Sequence, residues 1–524
     1  PLPSRSLADP TTAHITAAEN CTLMSISLDD LETHLFECAD IIRDAVDPTD
    51  YKEFILPLVY YKSISDEFEK QYAQNVEEYG EDFARRNNLY EIPVVPEGYL
   101  WEDLRSVSDN VDQALNEAFD ALAEENPELT GVFRADYIDA DALDDDRLGR
   151  LVEHLTAYDL DRDSIPPDML GEAYMDLVRH FAEEEGKSGG QFFTPPQIVN
   201  LCVRLVDAFE DGMTFHDPTV GSGGMLIEAA RYYREEQGGD PTTQTFTGQE
   251  INPDIAAIAK MNLSIHGLEG QIEREDSLSS PAFTDDDANE LTRFDRVLAN
   301  FPFSVDWAKD DLQDDPYGRF DWHEKLPRAD RGDYAFIMHM VEQLKDPDRG
   351  DENGGKAAIV IPHGVLFRKH ESRYREPMLE NDLIEAVVGL PENLFQNNSI
   401  PSAILVLNTD KPAEREGEVQ FVHAADEAFY EELSNQNELT EDGLDHIITN
   451  FREWATEERV SRTVSLDEIR ENEYNLNIAL YVDTTEPEED IHVGEELAKL
   501  RELQAERDEI EATMDKHMEA LQYE

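Results

Sequence analysis

Apolar residues recur with helical spacing through the first third of the chain. They are Leu31, Leu35, Ile41 and Ile42, followed by Phe54, Ile55, Leu58 and Val59. Spacings of three and four residues place such side chains on one face of a helix, where they can pack against a neighbour. The pattern predicts a helical N-terminal domain over residues 25–165. Residues 1–24 lack this periodicity and are predicted to be disordered.

From about residue 166 to residue 410, short apolar runs alternate with helical patterns. The clearest runs cover residues 246–249, 297–299, 357–361, 386–389 and 403–407. Strands that alternate with helices are typical of an α/β domain built on a parallel sheet. We therefore predict an α/β domain over 166–410, with an extension over 411–485. An acidic linker and a final helix are predicted within residues 486–524.

A glycine-rich turn lies at residues 217–224, where the sequence DPTVGSGG joins a strand-like run to an amphipathic helix. Gly221, Gly223 and Gly224 allow unusual backbone dihedral angles and a close approach to a ligand. The helix that follows points its N-terminus at the same place. The glycines of this turn are spaced neither as in the G-x-G-x-x-G of dinucleotide-binding folds nor as in the G-K-[ST] of a phosphate loop. NAD and ATP are therefore disfavoured, and S-adenosylmethionine remains.

Two polar motifs follow this turn. Glu250 ends the second predicted strand, where a carboxylate can accept the hydroxyl groups of a ribose. The alternative for Glu250 is an acid that stabilises the N-terminus of the next helix. Further on, Asn300 ends another predicted strand and is followed by Phe301, Pro302 and Phe303. An amide, a rigid proline and an aromatic ring at a strand end indicate a second part of the same site.

The charge of the chain argues at first against a nucleic-acid partner. The sequence holds 118 acidic and 43 basic residues, for a net charge of -75, whereas proteins that bind nucleic acids usually show a basic footprint. The acids are spread along the whole sequence, and only 13 basic residues are lysines, which is typical of proteins adapted to multimolar salt. There the Debye length is roughly 3 Å or less, so repulsion from phosphate is screened. A hydrophobic content of 40% disfavours a disordered protein.

The cysteines and the hydropathy pattern argue against several other classes of protein. Cys21, Cys38 and Cys202 form neither a C-x-x-C pair nor an even framework, so no disulfide scaffold and no metal site are expected. No apolar run of 18 residues and no signal-peptide pattern occur in the sequence. We expect a cytoplasmic protein without membrane spans.

Further sequence blocks complete the picture. They are GQFFTP at 190–195, GGKAAIVIPHGVLFR at 354–368, LIEAVVGLPENLF at 383–395, IPSAILVLN at 400–408 and YNLNIALYVDT at 474–484. Together with the glycine turn and the Asn300 motif, these blocks resemble the modification subunit of Type I restriction-modification systems. That family consists of adenine-N6 DNA methyltransferases, and the resemblance covers nearly all of the chain.

The resemblance implies a fold and a cofactor. The fold is a Rossmann-like mixed sheet with helices on both faces, preceded by a helical domain and followed by a C-terminal helix. The cofactor is S-adenosyl-L-methionine. Its expected binding residues are Gln191, Phe192, Phe193, Thr194, Pro195, Asp217, Pro218, Gly221, Ser222, Gly223, Glu250 and Asp276.

Different residues in this set are expected to contact different parts of the cofactor. Residues 191–195 resemble the segment that closes over the methionine part, although Thr194 is also a candidate helix cap. Asp217 is expected to fix the turn or to meet the methionine ammonium. Glu250 is expected to bind the ribose, and Asp276 the adenine amino group.

The resemblance also implies the catalytic residues, Asn300, Pro302 and Phe303. The amide oxygen of Asn300 and the backbone carbonyl that follows it would accept the two protons of the adenine amino group and orient its lone pair toward the methyl group. Phe303 would stack on the base after it is flipped out of the duplex. The family pattern is Asn-Pro-Pro-Phe, so Phe301 departs from it and removes a rigid residue. Phe395, close to a loop that resembles the lining of the flipped-base pocket, is equally well explained by core packing.

The last predicted helix, 494–522, carries a near-heptad stripe of apolar residues. They are Leu500, Leu503, Ile510, Met514 and Leu521. The pattern alone fits a helix packed on its own domain as well as it fits an interface. The resemblance implies docking on a specificity subunit, in a complex with a restriction subunit, a second modification subunit and duplex DNA.

Two alternatives stay open at this point. The same motif serves methylation of RNA amino groups and of protein glutamine side chains. The Phe301 change also allows a cofactor-binding scaffold of the same complex with weak catalysis.

Overall fold

The computed structural model describes most of the chain. The described ranges are 26–90, 92–138, 143–184, 194–285, 289–312, 314–322, 325–395, 401–433 and 436–483, with eight further residues between 500 and 514. The disorder predicted for 1–24, the cofactor contacts predicted for Gln191, Phe192 and Phe193, and the linker predicted from 486 lie outside these residues.

In the described part of the chain, seven α-helices lie before residue 185. They are α1 (Leu28–Ile42), α2 (Tyr51–Tyr79), α3 (Glu81–Ala84), α4 (Trp101–Arg105), α5 (Val111–Glu125), α6 (Asp145–Leu155) and α7 (Pro167–Glu184). In α1, Leu31, Leu35 and Ile42 are fully buried, as their spacing predicts. The helix begins where the Ser27 side chain accepts a hydrogen bond from the backbone N–H of Asp30. α7 packs in the same core as α1 and α2.

The centre of the protein is a nine-stranded sheet. Its strands are β1 (Thr214–Asp217), β2 (Thr245–Gln249), β3 (Gly270–Glu273), β6 (Arg296–Asn300), β7 (Lys356–Pro362), β8 (Ile384–Gly389), β9 (Ser402–Asn408), β10 (Glu418–His423) and β13 (Ser461–Ser465). Two hairpins lie outside it, formed by β4 (Thr284–Asp285) with β5 (Glu290–Leu291) and by β11 (Tyr430–Glu432) with β12 (Asn437–Leu439).

The sheet has the order β13-β10-β8-β9-β7-β6-β1-β2-β3. β3, β2, β1, β6 and β7 run parallel, whereas β9 is antiparallel to both β7 and β8. The sheet is therefore mixed, which confirms the predicted fold class. From β1 the chain proceeds through β2 and β3 on one side, and returns to β6 and β7 on the other. Ligands of open α/β sheets bind in the crevice at such a reversal.

Helices cover both faces of the sheet. They are α8 (Pro196–Leu205), α9 (Gly224–Glu235), α10 (Pro253–Ile265), α11 (Asp333–Glu342), α12 (Gly364–Phe367), α13 (Ser372–Glu380), α14 (Glu441–Arg452) and α15 (Leu466–Glu471). In β7, Ala358 and Val360 pack in the core with α8, α9 and α14, whereas Ala357 and Ile359 pack in the core with α11 and α13. Alternate side chains of a strand point to opposite faces, so a strand covered on both faces is apolar throughout.

The chain divides into two compact units, residues 1–482 and residues 483–524. All eight residues described between 500 and 514 are helical. Leu500, Leu503, Ile510 and Met514 are each at least half exposed. Within the described part of the chain, no helix has the length and apolar character needed to cross a membrane.

Candidate active site

The glycine turn joins β1 to α9 at the reversal of strand order. Gly221 and Gly223 have φ angles of +54° and +89°, a region that side chains with a Cβ rarely adopt. The Val220 N–H donates to the Gln249 carbonyl at 3.0 Å, which ties the turn to the end of β2. On its other side, the Asn262 side chain of α10 donates to the Ser222 carbonyl at 2.8 Å. The turn is therefore held in an open loop whose backbone faces the crevice.

Glu250 lies directly after β2 and against this turn. One carboxylate oxygen accepts from the Gly221 N–H at 3.2 Å, and the other accepts from the Asn252 N–H at 2.9 Å. The cap of α10 is Asn252, whose side chain accepts from the Asp254 N–H, so Glu250 is not itself the cap, although it bonds to the backbone of the cap residue. Burial raises the pKa of Glu250, and these N–H donors oppose the rise. Each oxygen keeps a lone pair for a further donor.

Asp217, the last residue of β1, is 2% exposed. Its carboxyl accepts from the Thr219 N–H at 2.9 Å, which fixes the start of the turn. Burial raises the pKa of Asp217 to about 8, and the nearby charge of Glu250 adds to the rise. A cation placed beside Asp217 and Glu250 would be attracted to both carboxyl groups.

Asp276 belongs to the loop after β3 and is half-buried. Its side chain accepts from the Leu278 N–H at 3.0 Å and from the Ser279 hydroxyl at 2.7 Å. The next residue, Ser277, bonds through its hydroxyl to the carbonyl of Pro218 in the glycine turn. Asp276 is thereby held at the rim of the crevice, next to the turn.

Asn300 ends β6, the strand adjacent to β1. Its side-chain N–H donates to the Thr194 hydroxyl at 3.0 Å, across 106 residues of sequence. This bond orients the amide and leaves the oxygen as an acceptor. Thr194 does not cap α8, since Pro195 is the N-cap and Pro196 the first helical residue.

Phe301 occupies the position where the family pattern has a proline. Its ring is 1% exposed and stacks on Phe336 of α11, with centroids 5.2 Å apart and an interplanar angle of 14°. The Ser304 N–H donates to the buried carboxylate of Asp333 at 2.6 Å, and Asp333 pairs with Arg368 at 2.7 Å. Core packing and this ion pair therefore restrain the segment that lacks the proline.

A cavity of about 780 Å³ connects the glycine turn, Glu250, Asp276 and Asn300. Nine of the predicted residues line it, namely Thr194, Asp217, Pro218, Gly221, Ser222, Glu250, Asp276, Asn300 and Pro302. Cofactor sites commonly have volumes of roughly 300–1,000 Å³. Its glycine floor, paired acids and facing amide suit a ligand with a ribose and a cationic amino-acid part.

Three predicted residues do not line the cavity. Pro195 and Gly223 shape the backbone beside it. Phe303 is half-buried, and its ring meets those of Phe301 and Phe395 edge to face, at 5.8 and 6.5 Å. Phe395 is buried in the core, in agreement with the packing alternative.

Comparison with known proteins now gives the family. The model of the N-6 DNA methylase family matches residues 166–490, and that of the HsdM N-terminal domain matches residues 31–155. The chain belongs to the N-6 DNA methylase family. This membership confirms the predicted enzyme class, an S-adenosylmethionine-dependent DNA methyltransferase.

Several relatives match almost the whole chain. The Type I restriction enzyme MjaVII methylase subunit of Methanocaldococcus jannaschii is 31% identical over 92% of this chain and 82% of its own length. The HindI methylase subunit of Haemophilus influenzae is 28% identical over 82% of this chain and 100% of its own. The crystal structure of a type I restriction-modification methyltransferase subunit from Streptococcus thermophilus superposes with a TM-score of 0.74, at 28% identity, over 87% of this chain and 100% of that one.

One wall of the cavity was not predicted. It comes from the helical region before the sheet, mostly from α7. The residues are Glu32, Asp168, Glu172, Met175, Asp176 and Arg179. Apart from Met175, these are polar positions of amphipathic helices, and nothing in their spacing separates a cavity wall from a solvated face. The contacts of Asn300 with Thr194 and of Ser304 with Asp333 also lacked a sequence signal.

Among the described residues, His34, Glu37 and His154 form a group with the spacing of a metal site. The two imidazole rings stack, with centroids 4.1 Å apart and an interplanar angle of 24°. Imidazole lone pairs lie in the ring planes, so two rings stacked in nearly parallel planes do not direct them at one ion. Burial lowers the pKa of His34 to about 4, so its ring is neutral. The geometry is that of a stacked pair.

Proposed function

We propose that this protein is the modification subunit of a Type I restriction-modification enzyme, and that it methylates adenine N6 in duplex DNA after flipping the base. The supporting observation is the shared cavity. It joins the glycine turn of β1 and Glu250 of β2 to the amide of Asn300 on β6, so a cofactor site and a base site open into one space. The relatives named as Type I methylase subunits match both halves of the chain.

The residues fit S-adenosylmethionine. Glu250 would accept the ribose hydroxyl groups through its remaining lone pairs, and Asp276 would accept from the adenine amino group. The carboxyl group of Asp217 would attract the ammonium group of the methionine part. When bound, the cofactor supplies a methyl group on a positively charged sulfur.

Asn300 would position the target nitrogen. The amino nitrogen of adenine is a poor nucleophile because its lone pair is delocalised into the ring. If the Asn300 oxygen and the carbonyl of Phe301 accept its two protons, the lone pair is directed at the methyl carbon. The nitrogen–carbon bond then forms as the sulfur–carbon bond breaks, and the nitrogen loses one proton to solvent. Phe303, at the end of the motif, would stack on the flipped base.

The proposed partners are a specificity subunit, a restriction subunit, a second modification subunit and duplex DNA. The C-terminal helix is the proposed contact with the specificity subunit. Its described apolar residues are three, seven and four residues apart, and each is at least half exposed. Exposed apolar stripes of this kind commonly become buried in helical interfaces.

Methyl transfer to DNA tests the proposal. The complete chain, with and without a candidate specificity subunit, is incubated in high-salt buffer with radiolabelled S-adenosylmethionine and duplex DNA, and the DNA is digested to nucleosides. We expect labelled N6-methyladenine only with the partner present. Label in RNA or in protein glutamine would contradict the DNA substrate. Cofactor binding without transfer, in an assembled complex, would favour the scaffold alternative.

Asn300→Ala tests the catalytic assignment. We expect turnover to fall by a factor on the order of 100 or more, because both orientation and charge stabilisation of the amino group are lost. Cofactor affinity, measured by calorimetry, should stay nearly unchanged, since most of the expected cofactor residues follow β1, β2 and β3 and not β6. Asn381→Ala, on the surface after α13, is the matched control. Unchanged turnover in Asn300→Ala would rule out this role.

A further inference from the structure

Basic residues are concentrated in two short segments of this acidic protein. Residues 325–331 and 368–375 contain seven of the 43 lysines and arginines and only two acids, although the whole chain carries a net charge of -75. The two segments meet in space, because the Tyr374 hydroxyl donates to the Lys325 carbonyl at 2.8 Å. Together they border an open depression on the surface.

Two of these arginines stabilise the fold. Arg368 pairs with buried Asp333, and Arg375 is 2% exposed and donates to the backbone carbonyls of Val365 and Tyr474. Of the others, Lys325, Arg328 and Lys369 are exposed, whereas Arg331 and Arg373 are half-buried. We call Lys325, Arg328, Lys369 and Arg373 the basic patch.

Within the basic patch, Lys369 and Arg328 are strongly exposed. The side chain of Lys369 is 91% exposed, and that of Arg328 is 60% exposed. Arg328 pairs with Asp330 at 2.6 Å, but an ion pair with both partners exposed contributes little. Lys325, Arg328 and Arg373 line the depression together with His370.

The acids around the depression are mostly engaged. Asp315 is bound by buried Arg319 at 2.6 Å, and Glu371 faces Arg368. The pKa of His370 is lowered, first by burial and then by the charges of four arginines, 328, 331, 368 and 373. The charges of these four arginines therefore act on His370, which also lines the depression.

The basic patch is joined to the segment that follows the catalytic motif. The Trp307 N–H donates to the Ala329 carbonyl at 3.0 Å, and its indole N–H donates to the Arg328 carbonyl at 2.7 Å. The Gly332 N–H donates to the Val305 carbonyl at 2.9 Å. Val305 and Trp307 also line the active-site cavity. The positive surface therefore begins where the cavity ends.

We propose that the basic patch binds the phosphates of the DNA strand that flanks the flipped adenine. The proposal rests on the function proposed above and adds a contact surface to it. A flipped nucleotide leaves its backbone distorted, and charged contacts on either side hold that backbone in place. A positive surface at the mouth of the cavity would also favour one orientation of the DNA at contact range.

The test is the salt dependence of DNA binding. The triple variant Lys325→Gln, Arg328→Gln, Arg373→Gln is compared with Arg105→Gln, Arg147→Gln, Arg150→Gln, which removes three charges from α4 and α6. Duplex DNA binding to the assembled complex is measured between 0.5 and 2 M KCl. Each lost phosphate contact lowers the slope of log affinity against log salt by about 1, so we expect a slope shallower by about 3. Affinity at 0.5 M KCl should fall about sixfold.

Kinetic measurements distinguish the proposed DNA-contact surface from the proposed methyltransferase function. At saturating DNA, the patch variant should keep the wild-type kcat and show a raised KM for DNA, with unchanged cofactor affinity. A patch variant whose salt slope equals that of the control overturns the proposed surface, whatever the wild-type activity. Absence of N6-methyladenine with the wild-type complex overturns the proposed function, whereas the slope comparison still reports on the surface.

Discussion

At the scale of single residues, burial changes what the acids of the site can do. Asp217 and Glu250 are buried beneath the glycine turn, and the pKa of Asp217 is raised to about 8. Near neutral pH, Asp217 therefore holds its proton in the absence of a ligand. A cation bound next to it favours the ionised form, so binding is coupled to loss of a proton.

This coupling predicts a pH-dependent cofactor affinity. Between pH 6.5 and 8, affinity for S-adenosylmethionine should rise with pH by up to tenfold per unit, because the Asp217 proton must be released below its pKa. Above pH 8 the profile should flatten. The measurement is the S-adenosylmethionine affinity of the wild-type chain and of Asp217→Asn, obtained by calorimetric titration at several pH values in this range. A variant with the same pH profile as the wild type would assign the dependence to another group.

Several residues of the site were accessible to sequence reasoning. The glycine turn, Glu250 and Asn300 each follow a predicted strand, and parallel strands bring their carboxyl ends to one edge. The structure places all of them on one cavity. Phe301 is different, because the sequence shows only a missing proline. Its stacking on Phe336 depends on the position of α11, which no local pattern encodes.

At the scale of elements, the β1-to-α9 connection depends on backbone conformation. Gly223 has a φ of +89°, while a Cβ there would meet no atom closer than 3.7 Å. The restriction is thus conformational and not steric. Side chains with a Cβ are destabilised in this region by roughly 1–2 kcal/mol.

We therefore expect Gly223→Ala to lower the free energy of unfolding by about 1–2 kcal/mol and to weaken cofactor binding, since the turn must shift to relieve the strain. Gly149→Ala is the control, because Gly149 lies within α6 with open space around it. Alanine in a helix interior should stabilise by roughly 0.5–1 kcal/mol and leave cofactor binding unchanged. Denaturant unfolding and calorimetry give both quantities. Equal effects of the two substitutions would contradict the conformational explanation.

Strand positions were predicted better than strand directions. The apolar runs 297–299, 357–361 and 403–407 lie inside β6, β7 and β9. The antiparallel direction of β9, and its insertion between β7 and β8, had no counterpart in the pattern. A strand buried on both faces is apolar at every position, so its periodicity reports burial but not direction.

At the scale of the whole molecule, the net charge of -75 has the largest effect on how stability depends on salt. Self-repulsion of this size opposes the compact state, and salt screens it, since the Debye length falls from about 10 Å at 0.1 M to about 3 Å at 1 M. The interpretation of the composition as salt adaptation thus has a physical consequence for stability.

We expect the Tm to rise as KCl increases from 0.1 to 2 M, as followed by circular dichroism. The variant Glu117→Gln, Asp120→Asn, Glu124→Gln removes three exposed acids from one side of α5. It should be more stable than the wild type at 0.1 M and show a smaller rise with salt. A Tm that falls with salt, or an equal rise in both proteins, would contradict the charge explanation.

The sequence by itself determined the order of helices and strands, the glycine turn, the strand-end positions of Glu250 and Asn300, and the family. These features arise from spacing and residue type within a few positions of one another. Only the tertiary structure decided the direction of β9, the cavity wall supplied by α7, the Thr194–Asn300 contact and the basic patch. Each of these joins residues far apart in the chain, and such contacts depend on how whole elements pack.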